Sequence, residues 1–487
     1  MEENLTELLQ IRRDKIDALK EKGIEPFHGQ FKRTHQTKEI LDNFEALEGQ
    51  KAIIRGRLMS KRGHGKAAFV NVADMSGNMQ VYIRKDRLGE DAFDVFTSLI
   101  DIGDIIGVEG EIFRTQKGEI SIRAEKVTLL TKSLLPLPEK FHGLKDVDLR
   151  YRQRYLDMIM NADVKDTFVT RSKVLREIRH FLDNKDFLEV ETPVLTSIAG
   201  GASARPFITH HNTLDMDLFL RISLELPLKR LMVGGIERVY ELGRVFRNEG
   251  VSTKHNPEFT LLEVYQAYGD LRDMMSLTEN MVATVAENVL GKTEVVYQGT
   301  PIDFKQPWRK ISMVDAVKEH TGIDFEAIGS DEEAMAICKD QLDIEGNLSK
   351  GELLNEMFEA HVEEQLIQPT FVYDYPLEIS PLAKKLRDNP MLTDRFEAFV
   401  FGRELANSFS ELNDPIDQKE RFLDQVARKE AGDDEAQPYD SDFITALEYG
   451  MPPAGGMGMG IDRLVMFLTD ALSIRDIIIY PAMKNKN

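Results

Sequence analysis

The sequence predicts an α+β chain of two domains: a small five-stranded barrel, then a larger domain of helices and antiparallel strands. Three observations predict it. At 487 residues the chain exceeds what one hydrophobic core organises, so two or three domains are expected. Between Lys51 and about Thr131, short alternating runs are separated by glycine-bearing turns, the pattern of a compact all-β unit. Beyond it, amphipathic helices mix with strand-like runs, and the longest hairpin pattern is Tyr240 to Tyr268.

Composition narrows the function classes. The apolar fraction of 42% is that of an ordinary globular protein. No apolar run reaches membrane-spanning length, and the start, MEENLTELLQ, is acidic and amphipathic rather than a signal peptide, so no membrane partner is expected. The single cysteine, Cys338, excludes an intramolecular disulfide and a cysteine-based zinc cluster; the expected compartment is the cytoplasm. A net charge of -21 argues against general coating of nucleic acid, DNA included, because such binding rests on neutralising phosphates. A local basic face remains: Lys51, Arg55, Arg57, Lys61, Arg62 and Lys66 follow one another with no acid among them.

Residues 1–50 read as a helical extension, with Leu5, Leu8, Leu9, Ile16 and Leu19 at roughly helical spacing. In 51–135, AIIRGRLM, KAAFVNVAD, NMQVYIRK, IIGVEGEIF and EISIRAEKVTLL read as strands, with the helix DRLGEDAFDVFTSL after the third. That order suggests an OB-fold barrel, which binds oligonucleotides on its strand 2–3 face. Phe69 could stack on a base, Gln80 read a base edge and Arg62 meet phosphate; the bland alternative for Phe69 is barrel core. Prolines and a glycine in TKSLLPLPEKFHGLKD place a linker at 136–150. The second domain, 151–487, opens with an amphipathic helix from Val164 to Leu182 and the strand FLEVETPVL, whose Pro193 suits a sheet edge. DLFLRISLE reads as a strand, and LPLKRLMVGG as a helix stopped by Gly234 and Gly235. A helical insertion is expected at about 271–368, and strands resume with PTFVYDYPLE, TDRFEAFVFGREL and ANSFSELND.

The hairpin carries the chemistry. Its strands flank the polar loop Glu249 to Pro257, and alternation puts Arg247 and Glu249 on one face. Phe259, Leu261, Glu263 and Tyr265 share a face of the returning strand. A cation, a flat aromatic ring and a carboxylate above one sheet are parts for holding a phosphate, a purine and an ammonium group; the bland alternative is a charged surface hairpin. Gly456, Gly458 and Gly460 recur at period two before a helix. This is neither a P-loop nor a dinucleotide fingerprint, but it clears one strand face so that a ring can approach the backbone. Arg463 follows at the helix start, placed for terminal phosphates. Asn407, Phe409 and Glu411 share a strand face, and Glu397 and Glu404 are hard oxygen ligands of the kind magnesium takes beside nucleotide phosphates.

FRNE followed by HNPEF, GMGMGIDR near the end, and FLEVETPVL resemble the three motifs of the class II aminoacyl-tRNA synthetases. The barrel ahead of them resembles the class IIb subgroup, which charges lysine, aspartate or asparagine. ISLELPLKRLMVGG, LLEVYQAY and SFSELNDPIDQ resemble the bacterial lysine-charging members, and the similarity covers nearly the whole chain. The departures are Asp186 in place of the usual glycine, Asp462 in place of the usual glutamate, and Leu224 and Pro227 around Glu225.

The resemblance implies an OB-fold anticodon domain and a class II synthetase catalytic domain with a seven-stranded antiparallel sheet flanked by helices. It also implies a homodimer built through the Pro193 region, with L-lysine, ATP and tRNA as substrates and Mg2+ as cofactor. Arg247 would bridge the α-phosphate and the amino-acid carboxylate, and Arg463 would reach the γ-phosphate or cover the adenine. Glu249 and Phe259 would hold the purine, His255 the terminal phosphates, Glu397 and Glu404 the magnesium, with Glu404 and Gly460 also at the nucleotide. Glu411 and Tyr265 would take the ε-ammonium of lysine, with Phe409 along its stem. Gly201 and Glu225 would take the α-ammonium and Asn407 the carboxylate, with Glu263 nearby. The rivals are an aspartate- or asparagine-charging sister, which three pocket glutamates oppose, a non-catalytic OB-fold RNA-binding protein, and a ligase lysylating protein, whose kind lacks the barrel.

Overall fold

The computed structural model describes residues 2–138, 144–342, 347–432, 436 and 438–485; residues 139–143 of the expected linker lie outside them. Two compact units emerge, Met1–Gly143 and Leu144–Asn487. Among the described residues no helix is long and apolar enough to cross a membrane.

In the first unit the helix Glu2–Glu21 stops before Gly23, which takes φ +71°, a conformation glycine adopts without penalty. Only two short helices, Thr37–Asp42 and Phe44–Leu47, follow, so the expected helical extension is broken in its middle. Strands β1 (Lys51–His64), β2 (Ala67–Ala73), β3 (Asn78–Arg84), β4 (Ile105–Arg114) and β5 (Ile120–Thr131) close a barrel in the order β1-β2-β3-β5-β4. Ile54, Val70, Val81, Val108 and Ile122 fill it, as period-two alternation requires. The helix expected after β3 is split by Gly89 (φ +90°) into Lys85–Leu88 and Glu90–Leu99.

The second unit opens with short helices and then the helix Ala162–Asp183. A tight turn through Asp186 follows, at φ 61°. Aspartate is among the few non-glycine residues that tolerate this left-handed region, which accounts for an acid where the resemblance leads one to expect glycine. The strand expected at FLEVETPVL shrinks to β6 (Leu188–Glu189), because Thr192 turns its N–H and hydroxyl to the Glu241 carboxylate (3.0 and 2.6 Å). Pro193 lies outside the ladder, as a residue without an N–H should. β7 (Leu195–Thr196), β8 (Ile208–His211) and β9 (Met216–Leu220) form a separate small sheet. Around it Leu188, Val194, Leu195, Ile208, Leu214 and Met216 are exposed.

The main sheet adds β10 (Arg238–Phe246), β11 (Glu258–Ala267), β14 (Arg309–Ser312), β15 (Thr370–Pro376), β16 (Leu392–Phe399), β17 (Glu404–Ser410) and β18 (Ala454–Gly460), with β12 (Glu294–Tyr297) and β13 (Thr300–Asp303) forming a hairpin apart. The order β14-β15-β16-β17-β18-β11-β10-β6 makes eight strands rather than seven. Its six middle strands are antiparallel and its two outermost pairs are parallel.

One face packs on the helices Ala162–Asp183, Leu271–Leu290 and Ile461–Leu468: Val174, Ile178, Met281, Val282 and Leu464 share a core with Leu262, Val264, Met457 and Met459. The helix Leu271–Leu290 therefore belongs to the principal core, and the segment expected as a helical insertion also supplies three strands. Those strands are four residues each, too short to show a period beside the strong helical signal. Its later part, with helices Met313–Thr321, Asp331–Cys338 and Lys350–His361, builds a second core against Val372, Tyr375 and Phe399 of β15 and β16, and Cys338 is buried in it.

Candidate active site

Strand register builds the floor of the site. Glu263 on β11 sits opposite Gly458 on β18, Gly458 opposite Asn407 on β17, and Asn407 opposite Glu397 on β16. The next row on that side face is Tyr265, Gly456, Phe409 and Arg395. Each row has a glycine near its middle, so polar side chains from both sides converge over bare backbone. A β-carbon at Gly456 would collide with the Glu411 carboxylate and the Tyr265 ring; at Gly458 it would meet nothing closer than 3.8 Å.

Above this floor lies a cavity of about 660 Å³. Every residue that the sequence assigns to nucleotide, lysine or metal lines it except Glu411: Gly201, Glu225, Arg247, Glu249, His255, Phe259, Glu263, Tyr265, Glu397, Glu404, Asn407, Phe409, Gly460 and Arg463. Glu411, 1% exposed, holds its carboxylate over Gly456 on the same face as Tyr265 and is ion-paired with Lys229, though neither carboxylate oxygen makes a hydrogen bond of ordinary geometry.

One end of the cavity is acidic and its carboxylates are buried. Glu225 opens the helix Glu225–Val233, whose Pro227 falls in the first turn, where a missing N–H is tolerated. Glu263 accepts from the Ser223 hydroxyl (2.8 Å), the Leu224 N–H (3.1 Å) and the Tyr265 hydroxyl (2.6 Å). Burial, and then Glu225, still push its carboxyl up to about 7. Burial likewise holds Glu411 well above the usual carboxylate range, against the pull of Lys229. Gly201 sits at φ +84°, and a β-carbon there would stand 3.1 Å from the Ser223 hydroxyl, so a side chain would press on the same cluster.

The other end is cationic, with Arg247, Lys254, His255, Arg403 and Arg463 in its wall. The Arg247 guanidinium lies 5.1 Å over the Phe259 ring and reaches the Ile222 carbonyl at 3.4 Å. Partial burial, and then Arg463, hold the His255 imidazole below its ordinary value. Arg463 donates to the Glu404 backbone carbonyl, with the Glu404 carboxylate 3.7 Å away. The start of its helix is pinned by Asp462, which accepts from the Thr260 N–H (2.6 Å) and from Arg171 (2.5 Å). An aspartate there reaches both donors, so this departure removes no contact.

Glu397 and Glu404 flank the turn between β16 and β17 and face the same cavity. Burial pushes the Glu397 carboxyl up to about 7, with Arg395 opposing and Glu404 adding to the rise. Two such carboxylates fit a magnesium ion that takes its remaining oxygens from phosphate and water. No group of three or more metal-ligating side chains occurs among the described residues.

Several residues at the site escaped the sequence reading. Lys229 is one helical turn from Glu225, a spacing that puts both on one face. Arg395 shares the face of Glu397 and donates to it (2.6 Å), to the Asn407 side-chain oxygen (3.0 Å), to the Ile379 carbonyl (2.8 Å) and to the Ser380 hydroxyl (2.9 Å). Alternation along β16 was the available signal. Glu359 and Glu363, from the segment expected as a helical insertion, also line the cavity, and no local pattern announces them.

On the barrel, Phe69 is 41% exposed, so it is not core. It pairs with Arg62 across β1 and β2 and stacks on Tyr82 (centroids 4.6 Å apart), an aromatic that the sequence reading passed over. Gln80 accepts from the Ser121 hydroxyl at 2.8 Å.

Comparison with known proteins agrees with both halves. The family described as tRNA synthetases class II (D, K and N) matches residues 146–484, and that described as OB-fold nucleic acid binding domain matches residues 52–130. The chain is 58% identical over 487 residues to a lysine–tRNA ligase of Thermoanaerobacter pseudethanolicus, covering 100% of this chain and 97% of that protein. It is 56% identical over 492 residues to a lysine–tRNA ligase of Bacillus subtilis, covering 99% and 98%.

Proposed function

The chain belongs to the class II tRNA synthetases that charge aspartate, lysine or asparagine, and from that premise we propose that it is a lysine–tRNA ligase. The observation that carries the choice of lysine is the buried acidic end of the cavity, where Glu225 and Glu263 line the wall and the buried Glu411 lies beside them over Gly456. Buried carboxylates are costly unless a cation meets them. Lysine brings two ammonium groups, whereas the side chain of aspartate would be repelled and that of asparagine would leave the acids unpaired.

In the first step an oxygen of the lysine carboxylate attacks the α-phosphorus of ATP; the P–O bond to the β-phosphate breaks and pyrophosphate leaves. In the second the 3′-hydroxyl of the tRNA's terminal ribose attacks the carbonyl carbon of lysyl-adenylate, AMP leaves, and the hydroxyl proton is lost. Neither step needs an elaborate acid–base relay; both need alignment and stabilisation of charge. Arg247, at the cationic end, holds the lysine carboxylate against the α-phosphate, and Asn407 holds the same carboxylate. Arg463 and His255 take the terminal phosphates. Phe259 offers a flat face to adenine and Glu249 an acceptor to its amino group, and bare backbone at Gly460 leaves room for the nucleotide. Glu225 and Gly201 take the α-ammonium, Tyr265 and Glu411 the ε-ammonium, and Phe409 covers the stem. Glu397 and Glu404 would hold Mg2+, which when bound neutralises phosphate charge.

On the barrel, Arg62, Phe69 and Gln80 form the anticodon-reading face for tRNA, with no role for DNA. We place the protein in the cytoplasm, where its substrates are, as a homodimer. The exposed apolar residues around the small sheet and beside Pro193 support the dimer, since an apolar patch of this kind marks an interface. Amino-acid-dependent exchange of pyrophosphate into ATP, comparing lysine, aspartate and asparagine, tests the assignment. Exchange with lysine alone is expected; exchange with aspartate or asparagine instead would overturn it.

A further inference from the structure

Three carboxylates and one ammonium are buried together at the acidic end. Lys229 is 0% exposed and ion-pairs with both Glu225 and Glu411, with its Nζ 5.1 Å from the centre of the Phe409 ring. Its partners are Glu225 on its own helix and Glu411 just past β17; Glu263 on β11 acts on both of these carboxylates, with Tyr265 donating to Glu263 and Arg247 beyond it. A buried lysine with two acidic partners stays charged where an isolated one would lose its proton. Burial acts to lower Lys229, but Glu225 and then Glu411 outweigh it and raise the ammonium above its ordinary value.

We propose that Lys229 is a specificity-determining residue of the amino-acid pocket, setting the buried charge at the value a diammonium substrate neutralises. With all groups ionised, three carboxylates less one ammonium leave two negative charges, and lysine brings two ammonium groups. The substrate carboxylate has partners of its own in Arg247 and Asn407. An amino acid with only an α-ammonium leaves one buried negative charge uncompensated, so it is rejected by desolvation rather than by shape. Without Lys229 the three carboxylates face one another, protonate more readily, and must surrender protons before a dication binds. This inference rests on the reading of the acidic end as the lysine pocket.

The test is Lys229→Met, assayed by lysine-dependent pyrophosphate exchange from pH 6 to 9.5. The expected result is a rise in the KM for lysine of at least about tenfold at pH 7 and an unchanged KM for ATP. The pH at which kcat/KM for lysine reaches half its plateau should also move upward, because deprotonating one more carboxyl now limits binding. An unchanged lysine KM, or a loss of activity with the pH profile in its original place, would overturn the proposal; the latter marks a merely structural role. If Lys229→Met does not fold, Lys229→Arg decides. It retains the charge and should keep the wild-type pH profile, and a shifted profile refutes the idea. Glu411→Gln in the parent chain separates the two layers. If it leaves lysine kinetics intact, the pocket assignment fails. If it raises the lysine KM while Lys229→Met does not, only the role of Lys229 fails.

Discussion

Arg395 ties the two halves of the reaction together, and Arg395→Lys measures how much that tie matters. Its guanidinium spans the carboxylate assigned to magnesium and the amide assigned to the lysine carboxylate, at 2.6 Å from Glu397 and 3.0 Å from the Asn407 oxygen. Two further bonds, to the Ile379 carbonyl and the Ser380 hydroxyl, fix the fork from behind, and its plane lies 4.5 Å over the Tyr375 ring. Because Asn407 gives its oxygen to Arg395, its NH2 is the half left to face a substrate carboxylate. Lysine at this position retains the charge but cannot hold a planar fork of bonds.

Keeping Glu397 as partner and losing the bonds to Asn407 and the backbone forfeits about two hydrogen bonds of ~1 kcal/mol each. A total of ~2 kcal/mol corresponds to roughly 30-fold in a rate or equilibrium constant. The assay is pyrophosphate exchange with lysine, ATP and magnesium varied in turn, alongside thermal unfolding. The loss should fall on the KM for lysine, since the freed Asn407 amide can rotate, while the magnesium requirement stays near that of the parent. A lowered melting temperature with unchanged exchange kinetics would refute the reasoning, because Arg395 would then be only a brace.

Three further outcomes follow from the geometry. Arg171→Ala frees Asp462 and the start of the Arg463 helix, so the KM for ATP should rise several-fold while that for lysine holds, as exchange assays would record. Phe69→Ala should weaken tRNA charging with exchange untouched, base stacking being worth ~1–3 kcal/mol per base; aminoacylation against exchange in one preparation separates the two. The pH dependence has a definite sign. Glu263 is raised to about 7 in the folded protein, so the folded state binds a proton that the unfolded chain has released, and stability from this group falls as pH rises from about 4.5 towards about 7. Lysine needs the ionised form, so the melting-temperature increment that it confers should grow over that window and flatten above it. Glu263→Gln should reduce the pH dependence of the increment, leaving the part that Glu411, also raised by burial, contributes.

How legible was all this in the chain? Arg247, Phe259, Glu263, Tyr265, Asn407 and Phe409 were readable because strand alternation is a local property, and two adjacent strands declare which side chains share a face. The glycines at 456, 458 and 460 were readable for the same reason. Their partners across the sheet were not, because register is set by tertiary pairing. Nothing near Gly458 states that it will lie between Glu263 and Asn407. Element length was the second limit. Helix Leu271–Leu290 shows its period clearly, but the four-residue strands after it do not, so a core helix and an edge strand were folded into one supposed insertion.

Charge pairing over distance was the third limit, and it bears most on function. Alternation puts Glu411 on one face with Asn407 and Phe409, but it reports the face and not the depth. The structure buries the Glu411 carboxylate over Gly456, against Lys229. A carboxylate with no internal partner would be solvated when empty, and water would compete for lysine at every encounter. A carboxylate already held by an internal ammonium is desolvated before the substrate arrives, so the cost of drying the pocket falls on folding and not on binding. In a synthetase this favours selectivity, because a neutral side chain of similar length displaces little water and gains little, whereas a second ammonium completes the charge balance of the fully ionised cluster.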